Sequence, residues 1–292
     1  TLHGLLEKVH GIEIADKISD EFGYDGDVTE QNAIDSLGML LRDVGARYCT
    51  FKNGYSEVID GLYQYLVANG IDLKIGTRCI DVQKVNGIYD CKIMCDGSGF
   101  SNLTADHIVF AIPKHNLSKI KFFRPLKRNL GSVIAKPLMR VYLKFPSNNG
   151  IPWFNDLKGT TVTKTMLRQI IPYDKKQGIL MLYVTGASAT NLNYLRESGH
   201  INMIKDIMEC LRKIFGQSVP YIPDPIDSKT KYWIRATHMW KPMIDSDKMS
   251  QRMIRPFDSE NVYIVGEAYS RIQQWATGAI DSVDNFINQF QP

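Results

Sequence analysis

The stretch VYIVGEAYSRIQQWATGAIDS, from Val262 to Ser282, decides the fold class of this chain. It predicts a short apolar strand, a loop of about ten residues and the start of a helix. Gly266 at the end of the strand lets a ligand approach the backbone, and the carboxylate of Glu267 can accept hydrogen bonds from sugar hydroxyls. The first N–H groups of the helix point their dipole at the same place, and they belong to Thr277, Gly278 and Ala279. A plain strand–loop–helix connection of an α/β protein explains the stretch as well.

Helices are predicted for the amino-terminal part of the chain. Apolar residues at helical spacing run through residues 1 to 48, and the turn-rich stretch from Gly23 to Asp27 divides them. A second helical region runs from Ser56 to Asn69. Ser56 is the expected N-cap of this helix, and Gly70 is the residue expected to end it.

The middle of the chain is predicted to be rich in strands. Asn86-Gly87 lies between two alternating runs and is a strong hairpin signal. The apolar run from Ile108 to Ile112, stopped by Pro113, is typical of a strand buried on both faces. The remaining predicted elements are strands at Ile71–Ile75, Arg78–Val85, Ile88–Cys95, Leu138–Phe145, Met166–Ile171 and Gly178–Thr185, and helices at Ile201–Phe215 and Thr277–Phe290.

Composition excludes several classes of protein. With 292 residues, 44% of them hydrophobic, and a net charge of +4, the chain is not predicted to be disordered. No run approaches the 18 or more apolar residues of a membrane span, so we expect an intracellular protein without a membrane anchor. The basic stretch from Lys114 to Lys127 is interrupted by apolar residues, which argues against nucleic-acid binding. The five cysteines are scattered, so free thiols are expected rather than disulfides or a metal site.

Several segments, taken in order, resemble the flavin-dependent amine oxidases, the family of monoamine, polyamine and L-amino-acid oxidases. The closing stretch from Val262 to Ser282 is similar to the last motif of that family. FKNGYSEVIDGLYQYL, from Phe51, resembles its Gly-Gly-Met/Tyr segment, with Asn53 in place of the first Gly. IDLKIGTRCIDVQ resembles the strand pair that clasps the flavin adenine, and DHIVFAIPKHNL resembles another strand of the family. The resemblance extends to divergent members from large DNA viruses, and the richness in Ile, Lys, Asn and Tyr suits an AT-rich genome.

The resemblance implies roles for individual residues. FAD would be the cofactor, held by Gly54, Cys79, Gly266 and Glu267 and by the helix start at Thr277, Gly278 and Ala279. Trp275 would form one wall of an aromatic cage that orients the amine, and Trp240 or His238 the opposite wall. Taken singly, each of these residues is also compatible with an ordinary core position.

Two departures from the family pattern bear on function. The family begins with a βαβ unit that carries G-x-G-x-x-G, and this sequence has no such segment. Because residue 1 is Thr, we expect that the natural amino terminus is missing. Arg140 in PLMRVYLKF stands where the family carries a lysine that holds a water, and an arginine cannot relay a proton as lysine does. An ion pair of Arg140 with a carboxylate is the alternative.

The fold that we predict is α/β, of the two-domain FAD-dependent amine-oxidase type. Residues 51–115 and 256–292 would supply the central and carboxy-terminal parts of an incomplete FAD-binding domain. Residues 1–50 and 116–255 would form the helical and α+β parts of the substrate domain.

The expected function is oxidation of a small-molecule amine, with O2 reduced to H2O2. The substrate would be a polyamine, a monoamine or an amino acid. The enzyme would be a homodimer, located in the cytoplasm or packaged in a virus particle. Two alternatives stay open. One is a catalytically inactive binding protein on the same fold, and the other is a desaturase-like flavoenzyme, which would need a long apolar tunnel.

Overall fold

The amino-terminal region is helical, as its periodicity predicts. The computed structural model describes residues 1–47, 49 and 51–290. The break falls at Gly23, which has a φ of +80° and ends the second helix. The four helices are α1 (Leu2–His10), α2 (Ile12–Phe22), α3 (Asp25–Thr29) and α4 (Ala33–Asp43). The predicted helical region is therefore confirmed, except that Tyr48 lies outside the described residues.

Helix α5 (Ser56–Ala68) has no buried residue. The predicted N-cap is wrong, because Tyr55 already has helical dihedral angles and takes the cap position, which moves Ser56 into the first turn. Gly70 ends the helical region with a φ of +74°, as predicted. The predicted strand Ile71–Ile75 does not form, since no strand of the described residues lies beside it to accept its hydrogen bonds.

A three-stranded antiparallel sheet follows, in the order β1-β2-β3. The Asn86-Gly87 hairpin is confirmed: Val85 pairs with Ile88, and both turn residues have positive φ, as a type I′ turn requires. The strands are β1 (Thr77–Val85), β2 (Ile88–Cys95) and β3 (Gly99–Ala105).

The only parallel pair among the described strands joins β4 (Ile108–Phe110) to β12 (Val262–Ile264). Val109 is 43% exposed, so the prediction that this run is buried on both faces is wrong. One face lacks a covering layer among the described residues, and the strand ends at Phe110 instead of Ile112. The connection from β4 onward consists of α6 (Lys114–Leu117), a 3-10 helix (Lys121–Leu126) and α7 (Lys127–Leu130).

The largest sheet is antiparallel, with the order β11-β5-β10-β9-β8. One face carries a core in which Leu143 and Leu182 of the sheet pack with Leu211 and Met203 from the helical layer. Its strands are β5 (Val133–Lys144), β8 (Thr161–Val162), β9 (Gln169–Asp174), β10 (Ile179–Thr185) and β11 (Asp227–Trp240), and the short pair β6 (Ser147–Asn148) and β7 (Ile151–Pro152) forms a separate hairpin. Helices α8 (Gly186–Ser198) and α9 (His200–Phe215) provide the covering layer.

Two strands of this sheet differ from the sequence prediction. β9 starts at Gln169 instead of Met166, because residues 165–168 form a turn in which the Arg168 N–H donates to the Thr165 carbonyl. β11 had no strand prediction, and its pairing with β5 shifts register between Trp233 and Thr237. A bulge of this kind bends an edge strand and re-aims its side chains.

The carboxy-terminal elements close a second core. Helix α10 (Ser246–Ile254) leads to β12, a 3-10 turn (Glu267–Tyr269) follows, and α11 (Ala276–Gln289) ends the described chain. Trp240, Tyr269 and Phe123 are buried together there. None of the described helices is long and apolar enough to cross a bilayer. The mixed α/β class is confirmed, whereas the division into two flavoprotein domains stays a prediction.

Candidate active site

The carboxyl ends of β4 and β12 lie side by side, because the two strands are parallel and in register. In α/β sheets this edge is where ligands bind. Val265 continues the pairing, since its N–H donates to the Phe110 carbonyl at 3.0 Å. Gly266 and Glu267 therefore leave the sheet beside the segment from Ala111 to Pro113.

A cleft of about 1150 Å³ lies between the three-stranded sheet and β4. Its lining includes the apolar residues Ile80, Ile93, Phe110 and Ile112. The charged residues of the lining are Lys74, Arg78, Lys119 and Asp72, and Asp72 pairs with Lys74 at 2.6 Å. Cys79 lines the cleft, and burial, with the nearby Cys91 and Asp81, raises the pKa of this thiol to about 11. Its sulfur is thus a neutral thiol and not a nucleophile.

The backbone beside Cys79 departs from regular pairing. Cys79 pairs with Ile93 and Asp81 with Lys92, so Ile80 is the extra residue of a β-bulge. A bulged residue lacks a partner in the ladder, which leaves its backbone groups available to a ligand. This geometry suits the adenine-clasping role that the resemblance implies for this strand.

Gly266 has the open surroundings expected of a ligand-approach glycine. Its φ is +112°, and a Cβ built there would meet no atom within 4 Å. Its N–H donates to the hydroxyl oxygen of Ser282 at 2.7 Å, which fixes the strand end to α11. The space beside this backbone, where a side chain would begin, is therefore open.

Glu267 directs its carboxylate into the protein. Oε1 accepts from the backbone N–H of His238 and from that of Gln274, both at 2.9 Å, and Oε2 lies 2.8 Å from Nδ1 of His238. A carboxylate has about four lone-pair positions, so a hydrogen bond from a sugar hydroxyl stays a prediction.

His238 is only 3% exposed and has one orphaned atom. Glu267 takes one ring nitrogen, while Nε2 is buried without a hydrogen-bond partner. In the neutral tautomer in which Nδ1–H donates a hydrogen bond to the Glu267 carboxylate, Nε2 carries a lone pair. The sequence prediction placed His238 in a cage wall, and the structure places it in a carboxylate–imidazole pair.

Trp240 packs in the core rather than along a cleft. It is 0% exposed, and its indole N–H donates to the Ser270 carbonyl at 3.0 Å. Both its faces are covered and its polar atom is satisfied, so the structure offers no cage wall at this residue.

Trp275 presents its ring to solvent at the amino end of α11. It is 44% exposed and precedes the helix in an extended conformation. The residue before it, Gln274, has a φ of +73° and donates from Nε2 to Asp27 Oδ1 at 2.7 Å. This strained residue ties the 266–275 loop to α3 and sets the direction in which Trp275 leaves the loop.

The start of α11 differs in part from the prediction. The Gly278 N–H is not free, because it donates to the Trp275 carbonyl at 3.1 Å. A Cβ at Gly278 would lie 1.8 Å from the Ile272 carbonyl oxygen, so this glycine is required by packing against the loop. Thr277 is exposed and Ala279 is half-buried.

Arg140 lies on β5, directly between Tyr183 of β10 and Lys231 of β11. Its guanidinium carbon is 5.2 Å from the centre of the Tyr183 ring. The alternative of an ion pair is not observed among the described residues: no carboxylate contributes to the pKa of Arg140, and Nε is buried without a partner.

Gly54 lies in the turn before α5. Its φ is +85°, its N–H donates to the Phe51 carbonyl at 3.1 Å, and a Cβ there would meet no atom within 4 Å. Among the described residues, no cluster of three or more His, Cys, Asp or Glu side chains has the arrangement of a metal site.

Sequence reasoning missed Asp27, Gln274 and Tyr183. Asp27 is buried and accepts from Gln274, which in turn donates to Glu267, so a polar chain crosses the site from α3 to His238. Asp27 also contributes to the raised pKa of Tyr183 beside Arg140. No local pattern marks these residues, since the contacts join segments far apart in the chain.

Comparison with known protein families matches residues 12–282 to the flavin-containing amine oxidoreductases. No curated protein matches the chain. The matched segment includes every residue of the site described above.

Proposed function

The chain belongs to the flavin-containing amine oxidoreductase family, and on that premise we propose that it acts in the FAD-dependent oxidation of a small-molecule amine to an imine. Bound FAD would accept two electrons from the amine and deliver them to O2, giving H2O2. The protein's part is to bind the amine, orient it and exclude water. Homodimer formation and a cytoplasmic or virus-packaged location belong to the same proposal.

The residues present suit the cofactor at two places. The cleft at Cys79 and Ile80 combines an apolar lining with two cationic residues that form no ion pair there, Arg78 and Lys119, which suits the phosphates of a dinucleotide. The bare backbone of Gly266 offers contact to a flat ring. Glu267 and the start of α11 at Thr277 and Ala279 would complete the binding surface, while Gly278 would serve it only by letting the helix approach the loop.

The observation that carries the proposal is the open backbone of Gly266 at the carboxyl edge of β4 and β12, beside the fixed pair of Glu267 and His238. The exposed ring of Trp275 supports a role in amine recognition, because an aromatic face attracts an ammonium group. His238 would stand near the same edge, and the core position of Trp240 limits it to structural support.

Absorbance spectroscopy tests the proposal most directly. The purified protein, reconstituted with FAD, should show flavin bands at about 375 and 450 nm after removal of free cofactor. A peroxide-coupled screen over polyamines, monoamines and amino acids then identifies the substrate. A folded protein that retains no flavin and forms no peroxide would contradict the proposal.

A catalytically inactive binding protein is the second candidate function. Arg140 in place of the family's lysine favours it, because a guanidinium stays protonated near neutral pH and cannot act as a base. On this alternative the protein would bind FAD or an amine without turnover. Flavin bands that are not bleached by any amine under anaerobic conditions would favour it over the oxidase.

A further inference from the structure

Helix α6 places His115 beside the end of β11 that carries His238. Nζ of Lys114 donates to the Val133 carbonyl at 2.5 Å, and Val133 pairs with Trp240. His238 lies two residues before Trp240 on the same strand. Because α6 follows β4 almost directly, the two histidines lie near each other at the carboxyl end of β4.

Both histidine rings have a nitrogen that is buried without a hydrogen-bond partner. These atoms are Nδ1 of His115 and Nε2 of His238. The side chain of His238 is almost completely buried, and its other nitrogen lies 2.8 Å from the carboxylate of Glu267. Since buried polar atoms are normally hydrogen-bonded, two orphaned nitrogens at one place indicate a ligand from outside the chain.

The charged groups around the two rings are cations. Burial lowers the pKa of His115, and the charges of Arg235, Lys119 and His238 lower it further. Burial and the charge of Lys241 lower the pKa of the neighbouring Lys114. No acidic group contributes to either pKa, and residues 107–155 contain no Asp or Glu that could do so.

The ion pairs observed in the described part of the chain include none with Arg235, Lys119 or Lys241. Cations that are brought together repel one another, and this repulsion is relieved when an anion binds between them. The cluster is therefore complementary to an anionic ligand.

The bulge of β11 presents Arg235 to this cluster. The register of β11 against β5 shifts between Trp233 and Thr237, so residues 234–236 lie outside the regular ladder. Such a bulge turns a side chain away from its regular direction. Arg235 and Lys119 are both exposed, so a ligand reaches them from solvent.

The donor set indicates the chemical class of the anion. Arg235 offers a guanidinium fork, Lys119 an ammonium group, and a protonated His115 a ring N–H. A phosphate group carries about two negative charges near pH 7 and has three strong acceptor oxygens, which match these donors. A carboxylate has one charge and two oxygens, so it would leave donors unpaired.

We propose that His115, Lys119 and Arg235, with the buried ring of His238 behind them, bind a phosphate group at the carboxyl end of β4. The phosphate has two potential sources, a separate phosphate-bearing molecule and the diphosphate of bound FAD, since Lys119 also lines the cleft beside Cys79. Phosphate binding does not require oxidation of an amine, so the site goes beyond the proposed function.

Calorimetric titration with inorganic phosphate, at constant ionic strength, tests the site. Phosphate should bind at least about ten-fold more tightly than acetate, because it has more charge and more acceptors. Arg235→Gln should weaken phosphate binding about ten-fold or more, since it removes charge-assisted hydrogen bonds. Lys229→Gln is the matched control, because Lys229 is an exposed cation on the same strand, six residues and roughly 20 Å from Arg235. It should leave the affinity within about two-fold.

NMR of 15N-labelled histidine gives a second measurement at the site. The ring signals of His115 are those that disappear in His115→Gln. Phosphate should raise the pKa of His115, because a bound anion stabilises the imidazolium, and acetate at the same concentration should raise it less. A pKa that is unchanged by phosphate would overturn the site.

Equal phosphate affinity of the wild type and Arg235→Gln would also overturn it, and so would equal affinity of the wild type for phosphate and acetate. The second comparison needs no variant. Loss of phosphate binding in the presence of saturating FAD would assign the site to the FAD diphosphate, whereas unchanged binding would assign it to a separate ligand.

The site and the proposed oxidase are refuted by different results. A protein that retains flavin and forms peroxide, but binds phosphate independently of Arg235, would refute the site and keep the oxidase. A protein that binds phosphate through Arg235 and retains no flavin would do the reverse.

Discussion

Two regions of the molecule both have periodic apolar residues but differ in how deeply these residues are buried. The first is the five-stranded sheet with helices α8 and α9, and the second is the region around α5, β4 and α11. In the sheet region, Leu182 and Leu211 are completely buried. In the other region, α5 has no buried residue, and Ile280 and Ile287 of α11 are exposed. Periodicity thus specifies which face of an element is apolar, whereas a second layer must be present for that face to be buried.

Truncation of one leucine in each region should give the largest contrast. Leu211→Ala on α9 removes a fully buried side chain and should lower the free energy of unfolding by about 3 kcal/mol. Leu62→Ala on α5 removes a side chain that is 54% exposed and should change it by less than about 0.5 kcal/mol. Urea unfolding measures both. A large loss for Leu62→Ala would mean that α5 is covered in solution.

Two glycine-to-alanine substitutions compare a tightly packed helix position in α11 with an open one in α5. Gly278→Ala places a methyl group against the Ile272 carbonyl and should displace the start of α11. We expect it to lower the free energy of unfolding by about 2–3 kcal/mol. Gly61→Ala in α5 meets no atom within 4 Å and should stabilise by about 0.5–1 kcal/mol through helix propensity. Thermal unfolding followed by circular dichroism distinguishes the two, and a neutral Gly278→Ala would contradict the close packing.

Glu267 joins the two regions, because it contacts His238 on β11 and Gln274 in the loop. Glu267→Ala removes the acceptor of three hydrogen bonds, so the ring of His238 and two backbone N–H groups lose their partner. We expect the free energy of unfolding to decrease by about 2 kcal/mol. Glu267→Gln keeps the shape and should cost about half as much. NMR of 15N-labelled histidine should also show that the ring of His238 loses its preferred tautomer in Glu267→Ala; an unchanged ring spectrum would argue against the pair.

The smallest expected effect is a pH dependence at His115. Burial, and then the charges of Arg235, Lys119 and His238, lower the pKa of His115 below its ordinary value of 6.5. The folded state therefore binds fewer protons than the unfolded state just below pH 6.5, and stability falls as the pH decreases through that range. Solvent screening limits the effect to less than about 0.5 kcal/mol. Denaturation curves at pH 7.5 and pH 5 measure how far the free energy of unfolding decreases between the two. This decrease should be smaller for His115→Gln than for the wild type, and an equal decrease would contradict the assignment.

Local chemistry allowed much of the fold to be predicted from the sequence. The Asn86-Gly87 turn, the end of the helical region at Gly70 and the helix beginning near Ala276 depend on residues close together in the chain. Long-range pairing caused the errors: Ile71–Ile75 lacks a neighbouring strand, and the start of β9 was displaced by a turn at Arg168.

For the candidate site, the motif residues were more predictable than their partners. Gly266 and Glu267 stand out because a strand end followed by Gly-Glu suits ligand approach. The contact between Glu267 and His238 spans 29 positions, and the one between Gln274 and Asp27 spans 247. Because no period or motif relates such positions, only the folded chain shows that these groups form one polar chain.

The sequence by itself determined the elements, the apolar faces and the family motif, since each depends on neighbouring residues and their backbone preferences. Tertiary structure alone decided that Trp240 is core, that Gly278 is a packing glycine and that Arg140 has no acidic partner among the described residues. The physical reason is that burial and charge neutralisation depend on contacts between groups far apart in the chain. The hydrophobic effect and electrostatics depend on distance in space and not on position in the sequence.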